Sequence, residues 1–237
     1  TSSTYTIKGD KPINVGFMTG GSGDISVNSA KDMYLAGNIS NATKADGSAI
    51  GKVTLNSIGG TISSVGSARV DADDLTAKAA KGISINHSAL GNMAKLNIEA
   101  TTGDVSINSD RGELQFVGGN KGALNGNLVI NAAGDITTAE ETVLNGNRID
   151  FTSLGAINAA IAPGQTLTSS DTMSTSVNAN AYGDITLTNS NGDMRIGHDR
   201  RRVGVQENYL HAFFFQRTAC LCTCIVKLCC LTDDNRT

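Results

Sequence analysis

Asp71, Asp73 and Asp74, with Arg69 just before them, form the densest group of side chains in this sequence that could move a proton. Hydrolysis by carboxylates needs two acids, or an acid with a lysine or arginine, converging on one bond. No second acidic cluster follows about one structural repeat away, so this one reads as a solvated corner. His87 has neither a cysteine nor a recognisable nucleophile motif to work with, and no triad follows from it. Gly20-Gly21-Ser22-Gly23-Asp24 resembles half of a calcium-binding nonapeptide. However, its aspartate arrives one residue early and the unit does not recur at a nine-residue spacing. Cys220, Cys222, Cys224, Cys229 and Cys230 could bind zinc as thiolates, but their arrangement departs from the paired spacing of common structural sites. Asn38, Asn41 and Asn86 each open a formal N-glycosylation acceptor, as chance produces in a sequence rich in Asn, Ser and Thr. These residues predict no catalytic group, no metal and no cofactor.

Any such group would be positioned by short strands. Triplets alternating apolar, polar, apolar recur throughout, many of them introduced by Gly or Gly-Asp. They begin at Gly23-Asp24, Gly82, Gly103-Asp104, Gly134-Asp135, Gly183-Asp184 and Gly192-Asp193. A second set starts at Val53, Leu75, Leu96, Leu128 and Ile149, and each member is followed eight or nine residues later by Ile62, Ile83, Val105, Ile136 or Ile157. Val53 to Leu75 is 22 residues, Leu75 to Leu96 is 21, Ile83 to Val105 is 22, and both Leu128 to Ile149 and Ile136 to Ile157 are 21. A period in this range marks a solenoid. Period-2 alternation with Val, Ile and Thr, and no sustained helical spacing, makes that solenoid all-β.

One circuit of about 21 residues with two or three short strands is the size of a β-helix coil. Coils stack at roughly 4.8 Å, so residues 13–197 predict about nine coils and a rod on the order of 40 Å long. Gly and Gly-Asp at the junctions are expected to supply the positive φ that corners need. Asn28, Asn86, Asn108 and Asn131 each follow an apolar triplet, where aligned asparagines can form a ladder along the axis. Residues 37–52 and 160–180 lack clean triplets and are expected to be surface loops.

Composition agrees with a repetitive body. The 237 residues include 27 glycines, two prolines, no tryptophan and only 4% aromatics, which leaves few large side chains for a compact core. With 19 basic and 22 acidic residues, the chain has no electrostatic footprint for nucleic acid. No apolar run reaches the roughly 18 to 20 residues of a membrane-spanning helix. All five cysteines lie near the C-terminus, as expected of an exported body stabilised by its ladder rather than by disulfides. The chain starts at Thr1 without a signal-like segment, so the expectation is an excised piece of a longer polypeptide.

The character changes near His198. Residues 198–237 hold all five cysteines, two of the three histidines and six of the 19 basic residues. Runs such as Arg200-Arg201-Arg202 and Phe213-Phe214-Phe215 have no counterpart upstream. The organisation expected is therefore a lead-in over 1–12, a parallel β-helix over 13–197, and a disordered tail over 198–237 of frameshift or cloning origin.

The recurring Gly-Asp-Ile-x-Val/Leu/Ile-x-Asn triplets in a cysteine-free body resemble the repeat regions of filamentous haemagglutinin-like exoproteins, including the high-molecular-weight adhesins. The resemblance covers residues 13–197. It implies a right-handed parallel β-helix and two-partner secretion through an outer-membrane transporter to the bacterial surface. It further implies attachment to a host-cell glycan or protein receptor by a structural or adhesive stalk that is not an enzyme. The same repeats occur in related haemolysins and leukotoxins, so a cytotoxin is the alternative reading, and a polysaccharide-active β-helix enzyme using Asp71, Asp73 and Asp74 is a third.

Overall fold

A computed structural model describes residues 3–7, 10–20, 23–163, 174–189, 193–199 and 203–207. The chain divides into two compact units, Thr1–Gln206 and Glu207–Thr237. The cysteines fall in the second unit, outside the described residues, and so do the zinc question and most of the expected tail.

The first unit is a parallel β-helix. The chain passes alternately through two parallel sheets, laying one strand in each per circuit. The first sheet stacks Ser3–Ile7, Ile25–Ser29, Val53–Ser57, Asp74–Ala79, Met93–Ala100, Glu113–Phe116, Ile136–Thr138, Ile157–Ala162, Ile185–Asn189 and Val203–Glu207. The second stacks Ile13–Val15, Met33–Leu35, Thr61–Ser64, Gly82–Ser88, Val105–Ser109, Leu128–Ala132, Arg148–Ser153, Ser174–Ala181 and Asp193–Asp199. Among the described residues no helix is long and apolar enough to cross a membrane.

Every spacing read from the sequence is a register pair. Val53 lies beside Leu75 and Leu75 beside Leu96, Ile83 beside Val105, Leu128 beside Ile149 and Ile136 beside Ile157. The two sets of triplets, however, do not correspond to the two sheets. Gly-Asp introduces Ile25 and Ile136 in the first sheet but Val105 in the second. Corners of eight or nine residues lead from either sheet to the other, so the short arc between partners carries no information about which comes first.

Period-2 alternation turns one side of each strand inward. In Ile25–Ser29, Ile25, Val27 and Ser29 are buried while Ser26 and Asn28 face outward. Stacking converts this into columns. Ile13, Met33, Ile62, Ile83, Val105, Leu128, Ile149 and Val177 occupy one register position through successive coils, and all are buried. Each such side chain contributes about 1.5–3 kcal/mol of hydrophobic stabilisation. Where strands meet corners, the inward position often holds serine. Ser57 Oγ donates to the Lys31 carbonyl and Ser153 Oγ to the Gly134 carbonyl, each at 2.8 Å. The turn backbone thus satisfies a hydroxyl that would otherwise be costly to bury.

Both ends of the ladder extend past the expected 13–197. Ser3–Ile7, in the stretch read as a lead-in, is a rung paired with Ile25–Ser29. Val203–Glu207 pairs with Ile185–Asn189 beyond His198. Residues 37–52 are a loop only in part. Ile39–Ser40 pairs with both Met18–Thr19 and Val70–Asp71, and an antiparallel hairpin joins Ala42–Thr43 to Ala49–Ile50. Of residues 160–180, expected as a loop, 160–162 and 174–180 instead belong to the strands Ile157–Ala162 and Ser174–Ala181, and 164–173 lie outside the described part.

Strands also split in an ordered way. The second sheet is broken into halves in its early coils, as in Thr61–Ser64 and Val70–Asp71, and Gly82–Ser88 then pairs with both halves as one strand. From Met93–Ala100 onward the split moves to the first sheet. That strand pairs with Glu113–Phe116 and Asn120–Ala123, and two coils later Ile157–Ala162 closes the break by pairing with Ile136–Thr138 and Val143–Asn145.

Candidate functional site

The residues singled out in the sequence fall into three places on this frame. The first is the Gly-Asp corner. Asp24 Oδ1 accepts the backbone N–H of Lys52 at 2.9 Å, Asp104 Oδ1 that of Asn127 at 2.8 Å, and Asp135 Oδ1 that of Ala156 at 2.7 Å. In each case the donor is the residue before the corresponding strand of the next coil. Asp32, not singled out, does the same with Thr61 N at 2.8 Å, and this hydrogen bond from the Thr61 backbone lowers its carboxyl below the ordinary value. The motif is a coil-to-coil staple. Asp184 precedes the strand that starts at Ile185, and its carbonyl accepts from Ile157 N at 2.9 Å. Gly192 and the side chain of Asp193 lie outside the described residues.

The glycines of the motif correct the expected positive φ. Gly82, Gly103, Gly134 and Gly183 are not in the left-handed region, and what demands glycine is close approach between coils. A Cβ on Gly134 would stand 2.6 Å from the Gly112 carbonyl oxygen, and one on Gly103 would overlap the Lys81 carbonyl. The positive φ values belong instead to glycines such as Gly51, Gly112 and Gly122. Gly23 supplies the carbonyl that a Cβ on Gly51 would meet at 2.7 Å.

The second place is the asparagine columns. Asn86, Asn108 and Asn131 share one register position in the second sheet. Asn28 stands apart, in the first sheet beside Asn56, whose Nδ2 donates to Asn28 Oδ1 at 3.5 Å. Asn86 Nδ2 donates to the Gly66 and Ala68 carbonyls, both at 3.1 Å, so it ties a corner rather than its column. Of the other formal glycosylation acceptors, Asn41 is buried, and Asn38 Oδ1 accepts the Arg69 backbone N–H at 3.2 Å.

The third place is the acidic cluster, which the fold disperses. Asp71 is buried and receives Arg69 Nε at 2.7 Å, and Arg69 also reaches Asp110 at 3.2 Å. Asp73 accepts three backbone N–H groups, from Leu90 and Gly91 at 2.8 Å and from Ala49 at 2.6 Å. Asp74 is exposed and lies in register with Lys95 of the next coil. Two of the three carboxylates are thus committed to the frame, Asp71 through Arg69 and Asp73 through backbone N–H groups, and both, with Asp110, act on the charge of His87.

His87 occupies an inward position that the following coils fill with Ser109, Ala132, Ser153 and Ala181. Its Nε2 lies 2.9 Å from the Ala72 carbonyl and its Nδ1 lies 3.0 Å from Ser109 Oγ. A carbonyl can only accept, so Nε2 carries a proton, while the one hydroxyl hydrogen of Ser109 has two acceptors in reach, Nδ1 and the Arg111 carbonyl at 3.2 Å. Burial pushes the imidazole below its ordinary value, which favours its neutral form. Ser109 is itself buried, so this histidine–serine pair has no face open to a substrate.

One cluster escaped the sequence reading. Lys121 is buried, and its Nζ lies 2.9 Å from Glu99 Oε2, with Lys78 on the other side of the same oxygen at 4.0 Å. Both this pair and His87–Ser109 are 22 residues apart in sequence. The repeat period, applied to polar residues as well as apolar ones, would have found them. Gly20 and Asp24 of the calcium-like segment are described while residues 21–22 are not. Among the described residues no group of three or more His, Cys, Asp or Glu is placed to hold a metal ion. Set against known protein families, characterised proteins and solved structures, the chain matches none.

Proposed function

We propose that this β-helix is a structural and adhesive stalk segment of a secreted bacterial surface exoprotein. In this reading it is exported through an outer-membrane transporter of the two-partner type and engages a glycan or protein receptor on host cells. The observation that carries the reading is where the carboxylates go. Asp24, Asp104 and Asp135 bond the backbone of the next coil, and Asp73 ties three backbone groups at once. Chemistry-bearing side chains are spent on holding coils together, which is what a load-transmitting spacer requires of them. Outward positions such as Ser26, Asn28 and Ser84 give the surface hydroxyl and amide groups suited to many weak polar contacts.

Binding of chain-coated particles to cultured epithelial cells tests the adhesive part. Attachment several-fold above albumin-coated particles, competed by soluble chain, is the expected result, and attachment at the albumin level overturns it. Turnover of a glycan panel that disappears in an Asp71, Asp73 and Asp74 triple alanine variant would replace the stalk with an enzyme.

A further inference from the structure

Asn97 and Glu99 lie two residues apart on the unbroken strand Met93–Ala100, and both side chains face outward from the core. The next coil returns over them as the half strands Glu113–Phe116 and Asn120–Ala123, separated by a break that contains Gly118. Lys121, in the second half strand, sends its ammonium back to Glu99 Oε2 at 2.9 Å, and its side chain is only 8% exposed. Gly118, at φ +95°, opens the space that lets this happen. The point where its Cβ would stand is 3.3 Å from Lys121 Cε, 3.4 Å from Asn97 Nδ2 and 3.8 Å from Asn97 Cγ. Asn97 Oδ1 is buried there without a hydrogen-bond partner.

An amine, a carboxyl group and a carboxamide with an unpaired carbonyl oxygen therefore lie beside one glycine, the amine buried and the carboxyl group partly exposed. We propose that Lys121 and Asn97 join in an intramolecular isopeptide bond that welds two successive coils, with Glu99 as the proton carrier. Transfer of the ammonium proton to Glu99 along their hydrogen bond frees the amine lone pair. Lys121 Nζ then attacks Asn97 Cγ, and the protonated Glu99 is a donor for the unpaired Oδ1 as negative charge develops on it. Collapse of the tetrahedral intermediate breaks the Cγ–Nδ2 bond. The nitrogen leaves as ammonia with a proton delivered through Glu99, and a Cγ–Nζ amide remains. No oxidant, reductant or cofactor is consumed. Lys121 Cε and Asn97 Cγ both lie within 4 Å of the same point beside Gly118, so the fold has already met much of the entropic cost of bringing the two residues near each other.

Two neighbours are unsuited to the same reaction. Lys78 is half exposed at 4.0 Å from Glu99 and keeps its water. Asn145 is committed through Nδ2 to Val143 O, Lys121 O and Asn120 Oδ1.

The intact mass of the purified full chain, followed by tryptic mapping, tests the bond. The expected result is a mass one ammonia below that of the sequence, and a branched peptide in which residues 96–111 are joined to residues 112–148 with Lys121 uncut. Lys121→Arg keeps a positive charge opposite Glu99 but has no nucleophilic amine, so it restores the full mass, as does Asn97→Ala. Glu99→Gln leaves most molecules unlinked, and Lys78→Ala leaves the bond intact. A wild-type chain of full sequence mass that is cleaved after Lys121 overturns the proposal, and so does an ammonia loss that maps elsewhere.

Discussion

The carboxylate of Asp135 and the backbone N–H of Ala156 meet at 2.7 Å across the gap between two coils, 21 residues apart in the chain. The Ala156 carbonyl in turn accepts from Ile136 N at 2.9 Å, so the corner is closed in both directions. Asp135→Ala removes a charged acceptor from a partly buried donor and is expected to cost about 1.5–3 kcal/mol. Asp135→Asn keeps an acceptor oxygen and costs less. Urea unfolding of the three chains measures both, as a lowered midpoint with an unchanged slope.

Gly103 and Gly47 separate two reasons for glycine. Gly47 has φ +86° with open space around its missing Cβ, so Gly47→Ala meets only the left-handed backbone penalty of about 1–2 kcal/mol. Gly103→Ala drives a methyl group into the Lys81 carbonyl in a packed stack, which costs about 3 kcal/mol or prevents the coils from closing. Equal destabilisation of the two variants in thermal melts would contradict the inter-coil reading of the Gly-Asp corner.

His87 makes stability depend on pH. Its proton affinity is lowered by folding, so below the ordinary value of 6.5 the unfolded chain takes up a proton that the folded chain refuses. Its contribution is fully present above about pH 6.5 and is lost as pH falls, at up to about 1.4 kcal/mol per pH unit. Between pH 7 and 5 the unfolding free energy should fall, and His87→Gln should flatten that slope. A slope unchanged by the substitution would mean the imidazole is charged in the folded chain.

Among the described residues Glu141 is the non-glycine residue with positive φ, at 60°, in the tight turn where Thr142 N donates to the Ala139 carbonyl. Glu141→Asn, a residue that tolerates this conformation, is expected to raise stability by about 0.5–1 kcal/mol. Differential scanning calorimetry would register it as an upward shift in Tm.

Much of this architecture was legible because a solenoid repeats its own evidence. Val53, Leu75 and Leu96 announce a register through spacings of 22 and 21 residues and similar side chains, and the sheet stacks them accordingly. Less legible was anything that depends on which sheet a strand joins, since corners of similar length connect them in both orders. The role of Gly103 was misread for a related reason. Its sequence neighbours resemble a turn, while the atom that requires it, the Lys81 carbonyl, belongs to the coil below. Ser3–Ile7 carries a threonine and serine pattern too weak to mark a rung by itself, and pairing with Ile25–Ser29 makes it one. Asp71 ends the strand Val70–Asp71 and Asp74 opens the strand Asp74–Ala79, with Asp73 in the corner between them, so three near neighbours in sequence belong to three different local settings.

The migration of the strand break from one sheet to the other has a consequence for evolution and engineering. Before Met93–Ala100 the interruptions carry Phe17 and Val65, both exposed, and afterwards they fall at Val117, Gly118 and Gly119 and at 139–142, which hold Glu140 and Glu141. Each set is bracketed by unbroken strands, Gly82–Ser88 on one side and Met93–Ala100 and Ile157–Ala162 on the other, that reset the register. Insertions can therefore accumulate on either flank without disturbing the opposite one. A single winding thus offers two independently variable display surfaces built on a shared frame.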